Sequence, residues 1–389
     1  MKSKICLVVQ RFGREVNGGA ELQCLEMAER LCARYREVHV LTTRAVDYMT
    51  WENAFPPGEE RTGRVHVHRF SVKHTRNQKE FNEINARFLS AGLTPEEEHA
   101  WLDRQGPVVP DLIRYIRKTK DEFDAFVFFT YLYYPTVMGI REAGEKAVLV
   151  PEAHDEPFLN MRMFERVFRM PRFFLFNTEE EKELVFQKFP GLKASYEIGG
   201  FGITPPEKAD ARAFHKKHGP GRFLLYAGRI DESKNCHVLF RYFQEYKKRN
   251  RNDLRLVLLG KSVIPVPADK DIVCLGFVEE REKWDAVAAA DIFVMPSAYE
   301  SLSIAVLEAM SLSVPVIVNG ACSVLRGHCL KSNGALYYRN YPEFEGVVNY
   351  ILEHPQVTGQ LCRNAKVYVE EEYDWNRIMD RLCSLIERI

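Results

Sequence analysis

Short apolar runs of β-forming residues recur along this chain, with segments of helical character between them. In the first half they are Ile5–Val9, Val38–Thr42, Val65–Phe70, Ala125–Thr130, Ala147–Val150 and Phe173–Phe176. In the second half they are Phe223–Tyr226, Leu256–Leu259, Ile272–Leu275, Ile292–Met295 and Pro315–Val318. Runs that are apolar throughout, as in the second half, are typical of strands buried on both faces of a sheet. The alternation predicts βαβ units and an α/β fold with two parallel sheets.

A segment rich in glycine and proline, Gly199 to Pro206, separates the two series of runs. Such a composition is typical of a linker or hinge, and a chain of 389 residues is too long for one ordinary core. We therefore predict two domains, residues 1–200 and 201–373. Residues 374–389 have helical spacing after three glutamates, 370–372, which predicts a capped terminal helix that packs on either domain.

The charge balance and the hydropathy pattern exclude several classes of protein. Lysine plus arginine (54) equal aspartate plus glutamate (54), so no long-range field marks a nucleic-acid binder. The first apolar run is too short for a signal peptide, and no stretch approaches the roughly 20 apolar residues of a membrane-spanning helix. Nine cysteines without C-x-x-C spacing fit reduced thiols. We expect a cytoplasmic protein. The region between residues 72 and 106, which carries several basic residues, is interpreted first as a solvated helical insertion and alternatively as an acceptor-side or membrane-surface element, which would allow peripheral contact with the inner membrane face.

The most informative stretch begins where the strand at 291–295 ends. Ser301 and Ser303 are good helix caps, and free amides at a helix N-terminus form an anion site. If the helix starts at Ser301, Glu300 and Glu308 lie on the order of 10 Å apart along it. That separation suits a bipartite ligand, with one carboxylate for sugar hydroxyls, the other for ribose hydroxyls and phosphates between. Glu308 has apolar neighbours in sequence, where an unpaired carboxylate is costly without a partner or a ligand.

Two further segments follow predicted strands and carry groups suited to a diphosphate. Arg229 and Lys234 come directly after the first strand of the second half. The planar guanidinium group of the arginine and the ammonium group of the lysine could together neutralise a pyrophosphate without a metal. In the first half, Gly18 and Gly19 open a helix, so a backbone could approach a ligand closely there.

The remaining candidates are polar residues at the end of the run 147–150. His154 and Asp155 follow that run and are expected at the rim of a cleft between the domains. Metal sites are not expected, because the D-x-D triplet 269–271 precedes a strand and Cys322, His328 and Cys329 lack the spacing of a zinc site.

At this point the chain resembles the retaining, nucleotide-sugar-dependent glycosyltransferases of family four, which have two facing Rossmann-like domains (the GT-B architecture). The hallmark is a phrase with two glutamates separated by seven residues, and here it reads Pro296-Ser297-Ala298-Tyr299-Glu300-Ser301-Leu302-Ser303-Ile304-Ala305-Val306-Leu307-Glu308-Ala309-Met310. Two positions depart from the family pattern. Ser303 stands in place of the usual glycine, and the typical Lys-Gly pair reads Lys234-Asn235.

The resemblance implies a role for each candidate. Glu300 contacts the donor sugar, the amides from Ser301 through Leu302 to Ser303 meet sugar and phosphate, and Glu308 holds the ribose. Arg229 and Lys234 bind the diphosphate, with Gly18 and Gly19 nearby. His154 hydrogen-bonds the donor sugar near the reacting carbon, and Asp155 orients it or meets the acceptor.

The resemblance implies a retaining glycosyltransferase that needs no metal and no cofactor, acting in glycan, polysaccharide or glycolipid biosynthesis. The donor is a UDP- or GDP-sugar, and the acceptor is a glycan or a lipid-linked sugar. Alternatives on the same fold are a nucleotide-sugar epimerase, a sugar phosphorylase and a non-catalytic sugar-nucleotide-binding protein. A nicotinamide dehydrogenase is disfavoured, because no G-x-G-x-x-G follows a strand.

Overall fold

The chain divides into two compact units in a computed structural model that describes residues 3–389. Unit 1 comprises Met1–Gly200 together with Asn376–Ile389, and unit 2 comprises Phe201–Trp375. The division falls within the segment rich in glycine and proline, and the C-terminal residues return to unit 1.

Unit 1 is built on an eight-stranded sheet within the described residues, in the order β3-β4-β2-β1-β5-β6-β7-β8. Its strands are β1 (Lys4–Val8), β2 (Glu37–Thr43), β3 (Gly58–Thr62), β4 (Val65–Phe70), β5 (Ala125–Phe129), β6 (Ala147–Val150), β7 (Phe173–Phe176) and β8 (Ser195–Ile198). Neighbouring strands run parallel, except that the edge strand β3 pairs antiparallel with β4.

Helices cover this sheet and complete the core of unit 1. They are α1 (Gly19–Leu31), α2 (Gln78–Ala91), α3 (Pro95–Gln105), α4 (Pro110–Thr119), α5 (Tyr134–Ala143), α6 (Arg162–Arg169) and α7 (Glu179–Lys188). A cluster of buried aromatic side chains, including Phe126, Phe128 and Phe174, packs between sheet and helices. Burying rings of this size is the main apolar contribution to stability in such a core.

Unit 2 has a six-stranded, wholly parallel sheet within the described residues, in the order β11-β10-β9-β12-β13-β14. Its strands are β9 (Phe223–Ala227), β10 (Arg255–Leu259), β11 (Ile272–Gly276), β12 (Ile292–Met295), β13 (Val316–Asn319) and β14 (Leu336–Tyr338). Its helices are α8 (Ala211–His218), α9 (Cys236–Arg249), α10 (Glu280–Ala289), α11 (Ile304–Ser311), α12 (Ser323–Ser332), α13 (Tyr341–Glu353) and α14 (Pro355–Glu372).

The terminal helix α15 (Trp375–Glu387) begins three residues after the last residue of α14, and all of it except Trp375 belongs to unit 1. Arg381 donates to the carbonyl of Ile198 at 2.6 Å, and Arg388 pairs with Glu197 at 3.0 Å. The prediction that glutamates 370–372 cap this helix is wrong, because they form the last turn of α14.

The α/β prediction is confirmed, and every apolar run named above overlaps a strand. Three strands were missed. β3 is largely exposed and has the sequence GEERT, so its pairing rests on backbone hydrogen bonds and gives no apolar signal. β8 and β14 are short edge strands of four and three residues.

The basic region between 72 and 106 folds as α2 and α3. Trp101 is fully buried and donates its indole N–H to Asn85 at 2.6 Å, whereas no residue of α2 is buried. No helix among the residues that the structure describes is long and apolar enough to cross a membrane.

Gly260 is the residue at which the fold most directly constrains the neighbouring loop. It follows β10 with φ +128°, and a Cβ there would overlap the carbonyl oxygen of Gly228, which precedes Arg229. We expect Gly260→Ala to lower the midpoint of urea unfolding by an amount that corresponds to at least about 2 kcal/mol. Gly346, in the middle of α13 with open space around it, is the matched control. Gly346→Ala should be neutral or stabilising by up to about 1 kcal/mol, and equal midpoints for the two variants would contradict this assignment.

Candidate functional site

The strand order of unit 2 reverses between β9 and β12. β10 and β11 extend the sheet on one side of β9, and β13 and β14 extend it on the other side of β12. Connections therefore leave β9 and β12 in opposite directions, which opens a crevice outside their carboxyl ends, the usual ligand position in open α/β sheets. The loop 228–235 follows β9 and the loop 296–303 follows β12, so both predicted donor-binding segments lie at this crevice.

Asp231 organises the loop 228–235. Its carboxylate is buried and accepts from the backbone amide of Lys234 at 2.8 Å and the hydroxyl of Ser233 at 2.9 Å. It also pairs with the Nε–H of Arg229, and Tyr226 fixes the loop further by donating its hydroxyl to the Arg229 carbonyl at 2.7 Å. The sequence analysis did not single out Asp231. It lies two residues from Arg229 in the sequence, which was the available signal.

The structure brings the predicted residues Lys234 and Glu300 together. Lys234 Nζ lies 2.7 Å from Glu300 Oε1, which joins the two loops across the crevice. The Glu300 side chain is 11% exposed and that of Lys234 is 31% exposed. The lysine predicted to meet a diphosphate and the glutamate predicted to meet a sugar are therefore partners in this structure.

The loop 296–303 is held from behind by side chains outside it. The Pro296 carbonyl accepts from Asn319 at 3.0 Å and from Asn235 at 3.2 Å. The Leu302 carbonyl accepts from Nε2 of the fully buried His328 at 2.7 Å. His328 lies on α12, and the sequence analysis considered it only as a candidate zinc ligand. No sequence motif marks its contact with the loop.

Ser303 differs from the prediction. Helix α11 begins at Ile304, so Ser301 and Leu302 precede the helix and the helical spacing used for Glu300 and Glu308 does not apply. Ser303 is the N-cap, but its hydroxyl makes no cap hydrogen bond and is buried without a partner among residues 3–389. Its φ of 71° is in the left-handed region, where glycine is favoured.

Asn235 is the second position that departs from the family pattern, and it has the same backbone property. It is the N-cap of α9 with φ 60°. Asparagine visits this region more readily than other residues with a side chain. Ser303 and Asn235, which stand where the family pattern has glycine, therefore both have a left-handed backbone conformation that glycine adopts readily.

Glu308 lies on α11 with a side chain that is 9% exposed, and its partner is Lys283 of α10. Lys283 Nζ lies 2.7 Å from Glu308 Oε1 and 2.8 Å from Oε1 of the exposed Glu280. Burial raises the pKa of Glu308 above its usual value, and the nearby ammonium group of Lys283 opposes that rise. The expectation that this carboxylate needs a partner is met by a lysine that the sequence analysis did not identify.

In unit 1, the glycine pair precedes and opens α1. A Cβ on Gly18 would overlap Oε2 of Glu21, whereas Gly19 has open space around it. The buried Glu21 carboxylate folds back toward the helix start, where it accepts from Gln10 at 2.7 Å and from Arg11 Nε at 2.9 Å. The packing of Glu21 therefore explains why residue 18 is a glycine, whereas Gly19 has free space beside its backbone.

The segment after β6 contains both predicted catalytic residues of unit 1. Asp155 is exposed, and His154 Nδ1 lies 3.5 Å from Glu156 Oε1, which also accepts from the Tyr131 hydroxyl at 2.7 Å. The carboxylate recorded near His154 is therefore that of Glu156, at a distance longer than an ordinary hydrogen bond. The resemblance assigned the orienting role to Asp155.

Glu152 begins this segment in an unusual environment. Its φ is 52°, and its Oε1 is buried without a hydrogen-bond partner in the described part of the chain. Burial and the neighbouring Glu21 and Glu181 raise its pKa well above the ordinary value. Burial also raises the pKa of Glu181 to about 8, against three hydrogen bonds that lower it. An acidic group with a high pKa thus lies two residues before the predicted catalytic histidine in the sequence.

Comparison with known proteins relates these geometries to a family. Residues 207–368 match the family described as glycosyl transferases, group 1. The matched range lies within unit 2. The matched range contains every residue of unit 2 placed at the crevice above, from Arg229 to His328. The domain match supports a glycosyltransferase.

The match to one curated relative is longer than the range matched by the family model. An uncharacterized glycosyltransferase of Methanocaldococcus jannaschii is 26% identical over 215 residues. The match covers 52% of this chain and 53% of the relative, so the chain spans about half the length of that protein.

Solved structures share the fold over the whole chain. Sucrose-phosphate synthase from Thermosynechococcus elongatus has a TM-score of 0.76 at 13% identity, with 100% of this chain and 99% of that chain covered. Anabaena HepE, solved in complex with UDP and glucose, has a TM-score of 0.72 at 16% identity, with 100% of both chains covered. The predicted GT-B fold class is confirmed.

The strain of the left-handed backbone at Ser303 can be tested by measuring the stability of two variants. Ser303→Gly and Ser303→Ala both remove the unpartnered hydroxyl, but only glycine relieves the φ of 71°. We expect the glycine variant to be more stable than the alanine variant by about 1 kcal/mol, measured from urea unfolding. An alanine variant as stable as the glycine variant would show that the backbone at this position is not strained.

Proposed function

We propose that this chain transfers a glycosyl unit from a nucleoside-diphosphate sugar to a hydroxyl group, with retention of anomeric configuration. The observation that carries the proposal is the pair formed by Lys234 and Glu300 at the reversal of strand order, with the buried Glu308 on the helix that follows. The cation and the helix N-terminus suit the negatively charged diphosphate of a nucleotide sugar, and the two carboxylates suit its sugar and ribose hydroxyls.

The diphosphate is assigned to Arg229, Lys234 and the amides that precede α11. Asp231 holds the loop that bears both cations, so their charges are positioned before the ligand arrives. Binding would exchange the Lys234–Glu300 pair for a lysine–phosphate pair and leave Glu300 free to accept from sugar hydroxyls. Cations fixed where charge develops on a leaving group are the largest catalytic contribution in many enzymes, and they act here without a metal.

Glu308 is assigned to the ribose hydroxyls, because a carboxylate accepts well from vicinal diols. The donor is a UDP- or GDP-sugar; HepE, which shares the fold, was solved with UDP and glucose. The acceptor is a glycan or a lipid-linked sugar, and a peripheral membrane contact would bring the enzyme to the latter.

The chemical step breaks the bond between the anomeric carbon and the diphosphate oxygen and forms a bond from that carbon to the acceptor oxygen. The departing phosphate oxygen takes the acceptor proton, so both oxygens lie on the same face and configuration is retained. His154, which lies near Glu156, would hydrogen-bond the donor sugar near the reacting carbon. The exposed Asp155 would meet the acceptor.

Calorimetric titration with UDP, GDP and ADP in EDTA tests the donor site. We expect one nucleotide to bind without metal, and Glu308→Ala and Lys234→Ala to weaken it by about 10- to 100-fold each, since each removes a charged hydrogen-bond partner. Glu370→Ala and Lys366→Ala are matched controls, because these residues form an exposed pair on α14. If no nucleotide binds, or if the control variants lose affinity equally, the donor site is not where we place it.

Retention can be measured with water as the acceptor. When the selected donor is an α-linked nucleotide sugar, slow hydrolysis should release the α-anomer first, which proton NMR detects before mutarotation. We expect His154→Ala to slow this release by about 10²- to 10³-fold if its hydrogen bond strengthens in the transition state. Initial release of the β-anomer would establish inversion and contradict the proposed step.

A further inference from the structure

Lys283 is a charged residue of unit 2 that none of the sequence motifs includes. It lies on α10, one helix away from Glu308, and its side chain is 22% exposed. Its ammonium group contacts Glu308 and Glu280, and Nζ lies over the Trp284 ring, 5.2 Å from the ring centroid. Its position is therefore fixed by two carboxylates and an aromatic face.

We propose that Lys283 is a positioning residue for the donor's ribose: it holds the Glu308 carboxylate ionised and aims one of its oxygens at the ribose diol. This inference rests on the proposed function, in which Glu308 binds the ribose. It assigns to α10 a part in donor recognition, outside both loops of the crevice.

The two carboxylate oxygens of Glu308 have different surroundings, which supports the proposal. Lys283 occupies Oε1 at 2.7 Å, and Oε2 makes no hydrogen bond to any of residues 3–389. A carboxylate offers about four acceptor positions, so Oε1 can keep its lysine while Oε2 accepts from a diol. Lys283 therefore does not compete with the ligand, whereas Lys234 on Glu300 does.

The electrostatic setting explains why a lysine is needed. A carboxylate that is 9% exposed loses most of its hydration, and an unpaired charge at such a site would be replaced by the protonated acid. Lys283 and Glu280 are the charged groups that act on Glu308 within the described structure, and they act in opposite directions on its pKa. Glu280 is 70% exposed, so solvent screens its effect.

The test compares the nucleoside diphosphate selected by the titration above with its 2′,3′-dideoxy analogue, for example UDP and dideoxy-UDP. We expect Lys283→Met to weaken UDP binding by about 10- to 100-fold and to leave dideoxy-UDP binding within about threefold of wild type. Lys283→Arg should restore UDP binding to within about threefold, because it keeps a cation beside Glu308. Lys217→Met is the matched control, since Lys217 pairs with Glu282, the neighbour of Lys283 on α10.

A pH series separates positioning from packing. Without Lys283 the pKa of Glu308 rises further, and the protonated carboxyl is the weaker acceptor for the diol. The loss of UDP affinity in Lys283→Met should therefore grow as pH falls from about 8 to about 6, while wild type and Lys217→Met change less. Thermal unfolding of each variant, with the dideoxy analogue as an internal reference, reveals any general loss of folded protein.

Each outcome decides the proposal. Wild-type affinity of Lys283→Met for UDP at every pH would overturn it, as would equal losses for UDP and dideoxy-UDP, which indicate a merely structural role. Failure of wild type to bind any nucleotide would overturn the proposed donor site and this inference with it. Wild-type binding that Glu308→Ala weakens but Lys283→Met does not would overturn this inference alone.

Discussion

The reversal of strand order between β9 and β12 is the constraint on which the candidate site depends. All strands of that sheet are parallel, so their carboxyl ends meet at one edge, and the reversal leaves a crevice there that no connection crosses. Two segments far apart in sequence, around Lys234 and Glu300, are brought within hydrogen-bond distance as a result. Asp231 fixes the first loop by accepting from the Lys234 amide, and His328 fixes the second by contacting the Leu302 carbonyl. These contacts hold the loops that carry Lys234 and Glu300.

Two lysine–glutamate pairs at this edge differ in burial, and the difference suits different roles. Lys234 is 31% exposed, and pairs in contact with solvent contribute about 0–1 kcal/mol, so releasing Lys234 to a diphosphate costs little. Lys283 and Glu308 are less exposed, at 22% and 9%, and removing one partner of such a pair leaves a poorly hydrated charge behind. The Lys234–Glu300 pair is therefore suited to opening when a ligand binds, and the Lys283–Glu308 pair is suited to staying intact. Geometry alone would not distinguish them, because both distances are 2.7 Å.

The sequence predicted what depends on local pattern and missed what depends on tertiary contact. Buried parallel strands have apolar runs, so β6, β7 and β12 were located to the residue, whereas the exposed edge strand β3 has no such run. The two glutamates and the loop cations were found because a motif carries them. Lys283 was missed because nothing in the helix 280–289 indicates that one of its charges faces α11. Ser303 was correctly expected at the helix cap, but its side chain makes no cap hydrogen bond, and residue preference does not reveal that this N-cap is left-handed.

Ser303 and Asn235 show what the loops require of the backbone. The resemblance predicts glycine at both positions, yet both keep φ values of 71° and 60° with a side chain present. For serine that conformation costs roughly 1–2 kcal/mol, and its buried hydroxyl is left without a partner in the described residues. A local cost of this size persists only where surrounding contacts determine the path of the chain. Those contacts are on both sides of Ser303: His328 holds the carbonyl of Leu302, and α11 begins at Ile304. The direction of the amides at the helix start is therefore set by the fold, and the side chain at residue 303 is accommodated to it.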